Sequence, residues 1–286
     1  MTIRESSDDD IARAYPPRSV DSHKGENGVV LVVGGGWLYH GAPLLTALAA
    51  MRTGVDLAYV AVPEKIATAL RAYTPSLIVI PLPDLKLTTK NAYRLRSLIP
   101  NVGAAAIGPG MTVDNPKGLL TLITILNEKN IPLVIDASAL IPDILPRIKG
   151  KRCVITPHSG EFRRMFGIEL GKEVEERASK VSQVAREHGI TILLKGHIDV
   201  ISDGEEVVVN RTGNPAMTVG GTGDILCGIT SALIAEGSPP FEAAVAAARI
   251  NGLVGEETYQ DLGFHITPED VINRIPSVLK RFDRIV

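Results

Sequence analysis

Aromatic residues and long apolar runs are both scarce in this 286-residue chain. Phe, Trp and Tyr make up 4% of the residues, which argues against a base-stacking platform for single-stranded nucleic acid. No apolar run reaches the roughly 20 residues that span a bilayer. The acidic, polar residues 1–10 lack the charged-then-apolar order of a signal peptide. We therefore expect a soluble protein without a membrane or nucleic-acid partner.

The chain also has few cysteines and nearly equal numbers of positive and negative side chains. Lys and Arg number 30 against 32 Asp and Glu, a formal net charge of -2, so no basic field is available for nucleic acid. The two cysteines, Cys153 and Cys227, lie in apolar sequence without zinc-site spacing or a disulfide framework. We expect both to be reduced and buried, as in a cytoplasmic protein.

Short β-branched runs alternate with helical patterns through the first half of the chain. The predicted strands are residues 28–33, 57–62, 77–82, 104–107, 132–135 and 153–155. The predicted helices between them are residues 43–52, 64–73, 88–98 and 116–129. Near-continuous apolar strands that alternate with helices predict an α/β fold with a mostly parallel sheet covered by helices on both faces.

The second half is predicted to add antiparallel strands and then helices. Residues 190–194 and 199–202 pair around Lys195, and a turn leads into a strand at residues 207–209. Three helices follow at residues 224–236, 241–259 and 268–281. We predict a single domain over residues 1–286. Residues up to about 23 would lead into the sheet as a helix or ordered arm, with 1–14 as a candidate flexible segment.

The most informative stretch, residues 214–224, combines three glycines with a carboxylate. If a helix begins at Asp224, the amides of Gly221, Thr222 and Gly223 lie at its N-terminus, where anions and phosphates bind. A carboxylate beside a phosphate site is unexpected, because it repels the ligand. A general base that takes a proton from a hydroxyl next to the phosphate would explain it. The alternative is that Asp224 caps the helix, and the two roles are compatible.

Two further glycine-rich turns follow predicted strands. Gly34-Gly35-Gly36 suggests a dinucleotide fingerprint, but Tyr39 stands at the third glycine position and no acidic residue ends the next strand. A Rossmann cofactor site is therefore not expected. The turn 108–110, Gly-Pro-Gly, similarly leaves backbone free to line a crevice. Either turn on its own is equally compatible with a packing role.

Several polar residues follow strands or interrupt apolar sequence. In the segment 156–161, Thr-Pro-His-Ser-Gly-Glu, His158 can donate to a ligand and Glu161 can orient a water or a hydrated metal. Glu161 is also a typical first-turn helix residue. Lys195 either meets a nucleotide phosphate or is a solvated hairpin residue. Asn251, on an alanine-rich helix, needs a partner, which is either structural or the nucleotide.

These motifs, in this order, resemble the ADP- or ATP-dependent NAD(P)H-hydrate dehydratases of the ribokinase-like superfamily. The resemblance extends from about residue 15 to the C-terminus. Its segments are residues 22–25 before the first long strand, the Tyr-x-Gly-Ala-Pro segment at 39–43, Gly-Pro-Gly at 108–110, Thr-Pro-His-x-Gly-Glu at 156–161 and Gly-x-Gly-Asp at 221–224. It implies a three-layer α/β/α fold and a metabolite-repair lyase that phosphorylates the ring hydroxyl of NAD(P)H hydrate and then expels phosphate.

The resemblance also implies roles for individual residues. Asp224 would be the catalytic base, and the amides of residues 221–223 would form the anion hole. The hydrated dinucleotide would contact Ala42, Gly110, His158 and Asp224. The adenine nucleotide would contact Lys195, Gly196, His197, Ile198, Asp199 and Gly223. Further candidates for the site are Tyr39, Gly41, Glu161 and Asn214.

Cofactors and partners follow from the same resemblance. Mg²⁺ is expected with the nucleotide, without an assignable ligand beyond Glu161 through water. ADP is favoured over ATP as co-substrate. We do not expect the fused epimerase domain found in many relatives, so a separate epimerase, or spontaneous epimerisation, would act upstream. A homotetramer is expected.

Two other functions compete with this hypothesis. A ribokinase-like kinase for a vitamin-precursor alcohol, of the hydroxyethylthiazole or pyridoxal type, would use the same Gly-x-Gly-Asp chemistry. The segments 39–43 and 156–161 argue against it. A non-catalytic nucleotide-sensing protein would have little use for the carboxylate of Asp224.

Overall fold

A single mostly parallel sheet organises the molecule. The computed structural model describes residues 3–99 and 101–286. The described residues form ten strands: β1 (Ile3–Glu5), β2 (Val29–Val33), β3 (Leu57–Pro63), β4 (Ile78–Leu82), β5 (Ala104–Ile107), β6 (Leu133–Ile135), β7 (Cys153–Ile155), β8 (Thr191–Leu194), β9 (Asp199–Ser202) and β10 (Val207–Asn210). Their order is β1-β10-β9-β8-β7-β6-β5-β2-β3-β4, and β9 alone among them is antiparallel to its neighbours.

Helices cover both faces of the sheet. They are α1 (Asp8–Ala14), α2 (Ala42–Thr53), α3 (Glu64–Tyr73), α4 (Thr89–Leu98), α5 (Lys117–Glu128), α6 (Leu145–Ile148), α7 (Ser159–Phe166), α8 (Val174–His188), α9 (Thr222–Ala235), α10 (Pro240–Leu262) and α11 (Pro268–Leu279). Strand residues alternate between two cores: Val30 and Val32 belong to the core that contains α2, α9 and α10, whereas Leu31 and Val33 belong to the core that contains α5. The predicted three-layer α/β/α arrangement is confirmed.

Small residues hold α9 close to the centre of the molecule. Ala104 and Ala106 of β5 are fully buried in the core that includes this helix, whereas Ala105 faces the opposite core. A Cβ atom on Gly228 of α9 would collide with the Thr46 carbonyl of α2, and one on Gly103 would lie 2.6 Å from the Ala235 carbonyl oxygen. Because these contacts leave no room for movement, they fix the position of the α9 N-terminus relative to the sheet.

The predicted strands and helices of the central region are confirmed to within a few residues. The strands at 190–194 and 199–202 are antiparallel as predicted, and 207–209 pairs with the second of them. Both cysteines are buried and free, also as predicted. Helix α8 (Val174–His188) is an addition, because no helix is predicted there from the sequence.

At the N-terminus the predicted helix is confirmed by α1, whereas the candidate flexible segment needs correction. Residues 1–14 were a candidate flexible segment, and residues 1–2 of it lie outside the described part. Ile3–Glu5 instead forms β1, parallel to β10, and Asp8–Ala14 forms α1. Arg249 of α10 donates to the Asp8 carboxylate at 2.9 Å, which ties α1 to the helical layer. Every helix within residues 3–99 and 101–286 is too short or too polar to cross a membrane.

Candidate active site

The glycine-rich turns meet at the carboxyl edge of the sheet. Strand β2 lies between β3 and β5. The chain therefore adds β3 and β4 on one side of β2 and then β5, β6 and β7 on the other side. Open α/β sheets bind ligands in the crevice at such a switch point. Here the turn after β2, residues 34–36, faces the turn after β5, residues 108–110, and Gly35 N–H donates to the Pro109 carbonyl at 2.8 Å. Both turns therefore line one crevice.

The backbone of the turn 108–110 lies directly against the loop before α2 and the loop after β6. A Cβ atom on Gly110 would collide with the Tyr39 carbonyl and lie 3.0 Å from the Ala42 Cβ. A Cβ atom on Gly108 would collide with the Asp136 carbonyl. Both glycines also have positive φ, 119° for Gly108 and 65° for Gly110, which favours glycine there. The predicted dinucleotide contacts Ala42 and Gly110 are thus neighbours, with Tyr39 beside them.

Exposed apolar side chains stand at the rim of this crevice. Trp37, Leu38 and Tyr39 are 71%, 78% and 67% exposed. Gly41 follows as the N-cap of α2 and has open space where its Cβ would be. The loop before α2 therefore offers an accessible backbone, as expected for the candidate Gly41.

The glycine-rich segment at 221–224 forms the start of α9 two residues earlier than predicted. Gly221 is the N-cap, with φ of 110°, and Thr222, Gly223 and Asp224 are the first three helical residues. Amides in the first turn of a helix have no partner within the helix, so they can receive an anion. The capping alternative for Asp224 is wrong, because Asp224 is the third helical residue and the cap position belongs to Gly221.

The Asp224 carboxyl group has an unusual acidity. Burial, with the negative charge of nearby Asp136, raises the pKa of Asp224 to about 7, although Lys195 opposes the shift. A carboxyl group with a pKa near neutrality is suited to accept a proton during a reaction. Perturbed carboxyl groups in clefts are typical of functional sites.

A buried ion pair lies next to this carboxyl group. Lys195 Nζ is 2.7 Å from Asp136 Oδ1 and 4.0 Å from Glu161 Oε2. Thr156 Oγ1 also donates to Asp136 Oδ1 at 2.8 Å. Burial lowers the pKa of Lys195, but the charges of Asp136 and Glu161 outweigh it and raise that pKa overall. The ammonium group therefore stays charged, and it lies 3.5 Å from the position that a Gly223 Cβ would occupy.

His158 and Glu161 form the start of α7 together. His158 Nδ1 accepts from the Gly160 N–H at 2.9 Å, and Glu161 Oε2 accepts from the His158 N–H at 2.9 Å. This is a capping box in which histidine takes the usual place of serine. Because Nδ1 is an acceptor, the neutral ring carries its proton on Nε2. That nitrogen lies 3.7 Å from Glu161 Oε2, beyond hydrogen-bond distance, so it can donate to a ligand.

The predicted nucleotide residues lie beside a cavity of about 440 Å³. Lys195, Gly196, His197 and Asp199 line it, together with Gly223. Ile198 instead packs against the core. The Asp199 carboxylate accepts from the Gly196 N–H at 3.0 Å and from Asn210 Nδ2 at 3.1 Å, so it shapes the loop. Asn214 also lines the cavity, and its Oδ1 accepts from the Ala216 N–H at 2.9 Å.

Comparison with known proteins decides between the families that share such a site. A family model described as NAD(P)H-hydrate dehydratase matches residues 30–277. The chain belongs to this family. The predicted family resemblance is therefore confirmed, and the fold is the ribokinase-like fold that it implied.

Individual members of the NAD(P)H-hydrate dehydratase family resemble the chain over its whole length. It is 49% identical over 286 residues, all of both chains, to the ADP-dependent (S)-NAD(P)H-hydrate dehydratase of Cenarchaeum symbiosum. It is 46% identical to a bifunctional NAD(P)H-hydrate repair enzyme of Pyrobaculum aerophilum, with 96% of this chain and 54% of that protein covered. The ADP/ATP-dependent NAD(P)H-hydrate dehydratase of Bacillus subtilis, co-crystallised with ATP and Mg²⁺, superimposes with a TM-score of 0.84. Its identity is 27%, over 99% of this chain and all of that one.

Sequence reasoning missed Asp136, which is 2% exposed at the end of β6. One signal was present, since a carboxylate directly follows a buried strand at the carboxyl edge of the sheet. Ala137, the next residue, has a φ of 53°, a strained conformation for alanine that is frequent at functional sites. Arg177 was also missed; its Nη2 lies 2.7 Å from the position of a Gly196 Cβ, and its charge acts on Asp199.

The carboxylates of the site were tested for their fit to Mg²⁺. No group of three or more His, Cys, Asp or Glu side chains able to hold a metal occurs within residues 3–99 and 101–286. Mg²⁺ is usually held by one or two carboxylates, water and substrate phosphates rather than by a complete protein cage. Glu161 can supply such a carboxylate through water, because its Oε2 already accepts from the His158 N–H at 2.9 Å and the Lys195 ammonium at 4.0 Å disfavours a directly bound cation.

Proposed function

We propose that the chain is a carbon–oxygen lyase that dehydrates (6S)-NAD(P)H hydrate to NAD(P)H at the expense of ADP, giving AMP and phosphate. The observation that carries the proposal is the Asp224 carboxyl group, with a pKa of about 7, at the phosphate-binding start of α9. Membership of the NAD(P)H-hydrate dehydratase family supplies the substrate class. The reaction repairs a damaged cofactor.

The first step transfers a phosphoryl group. Asp224 removes the proton from the ring hydroxyl of the hydrate, and the hydroxyl oxygen attacks the terminal phosphorus of ADP while the bond to AMP breaks. The amides of Gly221, Thr222 and Gly223 stabilise the charge that develops on the phosphoryl oxygens. Positioning and electrostatics account for the catalysis, and no covalent bond to the protein is required.

The second step breaks the carbon–oxygen bond that the phosphoryl group has activated. Electrons from the ring nitrogen expel phosphate, and a proton leaves the neighbouring ring carbon, which restores the dihydronicotinamide. Mg²⁺, when bound with the nucleotide, would neutralise phosphate charge, and Glu161 would orient it through water. Lys195 adds a fixed positive charge at the start of α9.

The dinucleotide and nucleotide occupy different parts of the crevice in this proposal. The hydrate lies against Ala42, Gly110 and His158, with Tyr39 and Gly41 at its rim. ADP extends from Gly223 into the cavity lined by residues 195–197, Asp199 and Asn214. The support is proximity: Lys195 lies against Gly223 on one side, and its N–H donates to the Pro157 carbonyl at 2.8 Å on the other.

Preferences and assembly belong to the proposal as well. We favour ADP over ATP because the Cenarchaeum relative is ADP-dependent. A homotetramer, a cytoplasmic location and a separate epimerase upstream are the accompanying predictions. The Pyrobaculum relative is a bifunctional repair enzyme, and this chain covers 54% of its length.

One assay tests the activity. The protein is incubated with NADH hydrate, Mg²⁺ and either ADP or ATP, and the dihydronicotinamide absorbance is followed. We expect recovery with ADP. The variant Asp224→Asn should lose at least about 100-fold in kcat, because general base catalysis typically contributes 10²–10⁴-fold, while it keeps its affinity for ADP.

The competing functions give different results in the same assay. A kinase for a vitamin-precursor alcohol would give no recovery with either nucleotide and would form a stable phosphoester. A nucleotide sensor would bind ADP without turnover of any substrate. Either result would overturn the dehydratase proposal.

A further inference from the structure

A second cavity, of about 490 Å³, opens at the amino edge of the sheet, where α2 and α11 end. Gly54, directly after α2, and Leu279, the last residue of α11, line it. Its described lining residues and those of the cavity at Lys195 and Gly223 form two different sets. The 12 residues of α2 run from the crevice to this second cavity, over a length of about 18 Å. The two cavities are therefore separate.

Positive side chains are concentrated around the second cavity. Four cationic side chains and one carboxylate line it, whereas the whole chain has a formal net charge of -2. A concave surface with an excess of one charge attracts ligands of the opposite charge. The lining favours an anion. The five charged residues are Arg18, Arg52, Lys280, Arg284 and Asp283.

Two of the arginines are held in place by the backbone. Arg18 donates to the Gly54 carbonyl. Arg284 donates to the Tyr15 carbonyl at 2.5 Å. Since a carbonyl group has no net charge, these hydrogen bonds orient the guanidinium groups without cancelling their charge. The Asp56 carboxylate, 4.0 Å from Arg18, offsets part of it.

The other two cations supply charge that is available to a ligand. Arg52 lies in the last turn of α2, and Lys280 directly follows α11. Both side chains are exposed, and neither forms an ion pair within residues 3–99 and 101–286. The C-terminal end of each helix carries roughly half a negative charge. Because each cation carries a full charge, a positive balance remains between the two helices.

An apolar wall accompanies this charge. Met51, Leu279 and Ile285 line the same cavity. Ile285 is 77% exposed, although the Val286 N–H fixes its segment by donating to the Arg18 carbonyl at 2.9 Å. Small-molecule sites have volumes of roughly 300–1,000 Å³ and combine apolar walls with a few polar or charged groups. The second cavity meets both conditions.

We propose that the second cavity binds a small organic anion, with its phosphate or carboxylate group at Arg52 and Lys280. The apolar part of the anion lies against Met51 and Leu279. Phosphate and carboxylate groups share the negative charge and the acceptor oxygens that guanidinium and ammonium groups bind. The site is additional to the crevice and does not depend on the proposed dehydratase reaction.

Isothermal titration of the whole protein tests the proposal. Phenyl phosphate and benzoate join an aromatic ring to each kind of anion, whereas inorganic phosphate and phenol supply one part only. We expect at least one aromatic anion to bind with a Kd of about 1 mM or lower. Inorganic phosphate and phenol should bind at least about tenfold more weakly. The tighter aromatic anion identifies the charged group that the site prefers.

Competition and variants locate the bound probe. Saturating ADP should leave probe binding unchanged, because the two ligands occupy different cavities. Arg52→Gln and Lys280→Gln should each weaken binding by about fivefold, since each removes one charge from the contact. Lys90→Gln is the matched control, because Lys90 is exposed on α4, a helix of the other core. It should bind the probe as the wild type does.

Three results would overturn the proposal. The first is the failure of both aromatic anions to bind the wild type, which does not depend on a variant folding. The second is displacement of the probe by ADP. The third is wild-type affinity in both Arg52→Gln and Lys280→Gln. Failure of the dehydratase function has a different signature, since NADH would not be restored while the probe still bound.

Discussion

The acidity of Asp224 depends on two charged groups, Asp136 and Lys195, that the fold brings to it from distant parts of the chain. Burial and Asp136 raise its pKa, and Lys195 lowers it. Lys195 is itself held by Asp136, at 2.7 Å, across 59 positions of sequence. Since a base acts only when deprotonated, we expect activity to rise as the pH increases through about 7.

Replacing Lys195 should move this pH dependence. Lys195→Met removes the charge that lowers the pKa of Asp224, so the acidic limb of the kcat profile, measured at saturating ADP, should shift to higher pH. It also leaves the buried Asp136 without its cation, at a cost to the free energy of unfolding of about 3 kcal/mol. Lys195→Arg keeps the charge and should keep the limb near its original position. An unmoved limb in the methionine variant would show that Lys195 does not tune the base.

At the scale of elements, both backbone conformation and packing require a glycine at the start of α9. Gly221 has the positive φ of 110° that lets the chain turn into the helix. A Cβ atom there would lie 2.7 Å from Pro268 Cγ and 2.8 Å from Leu45 Cδ1. The residue is therefore constrained by its own backbone and by two other helices, α11 and α2.

A matched pair of glycine substitutions tests this constraint. Gly221→Ala should lower the free energy of unfolding by about 2 kcal/mol or more and reduce kcat, because the amides of the first turn are displaced. Gly220→Ala is the control: a Cβ atom there meets nothing within 4 Å, so the change should stay within about 0.5 kcal/mol. Urea unfolding and the NADH assay measure the two effects. Equal behaviour of the two variants would contradict the packing argument.

At the scale of the whole molecule, each end of α9 carries a buried carboxyl group with a raised pKa. The carboxyl edge carries the crevice, and α9 runs from it to the opposite edge, about 20 Å away. There Glu236 follows α9 with both carboxylate oxygens buried and, among the described residues, unpartnered. Burial raises the pKa of Glu236 to about 8, Arg18 opposes the shift and Asp56 adds to it.

Glu236 should make stability depend on pH without affecting the site. Because the folded-state pKa is raised from 4.5 to about 8, its contribution to stability is complete below about pH 4.5 and is lost as the pH rises to 8. Glu236→Gln should therefore be more stable than the wild type at pH 8, by up to about 4 kcal/mol, and the difference should shrink towards pH 5. Thermal unfolding of both proteins across this range measures it. A constant difference between them would exclude Glu236 as the cause, and kcat serves as the internal control.

Hydrophobic patterns and turn residues in the sequence predicted most of the strands and helices and the loops that form the crevice. Strands such as 104–107 and 153–155 are short, apolar and bounded by turns, and their carboxyl ends carry the motifs that form the crevice. Strand β1 and helix α8 gave no such signal: Arg4 interrupts a three-residue strand, and the apolar stripe of α8 is mostly alanine and valine among charged residues. The role of Asp136 depends on Lys195 and Thr156, which only the folded chain places beside it.

The interlocking of the site loops through bare backbone limits how members of this family can diverge. Gly34, Gly108 and Gly110 each leave no space for a Cβ atom against the carbonyl of another loop. An inserted residue in any one loop would therefore push its neighbours apart and open the crevice as a whole. We expect the site to vary by exchange of side chains such as Trp37 at its rim, whereas the lengths of its loops are inherited together.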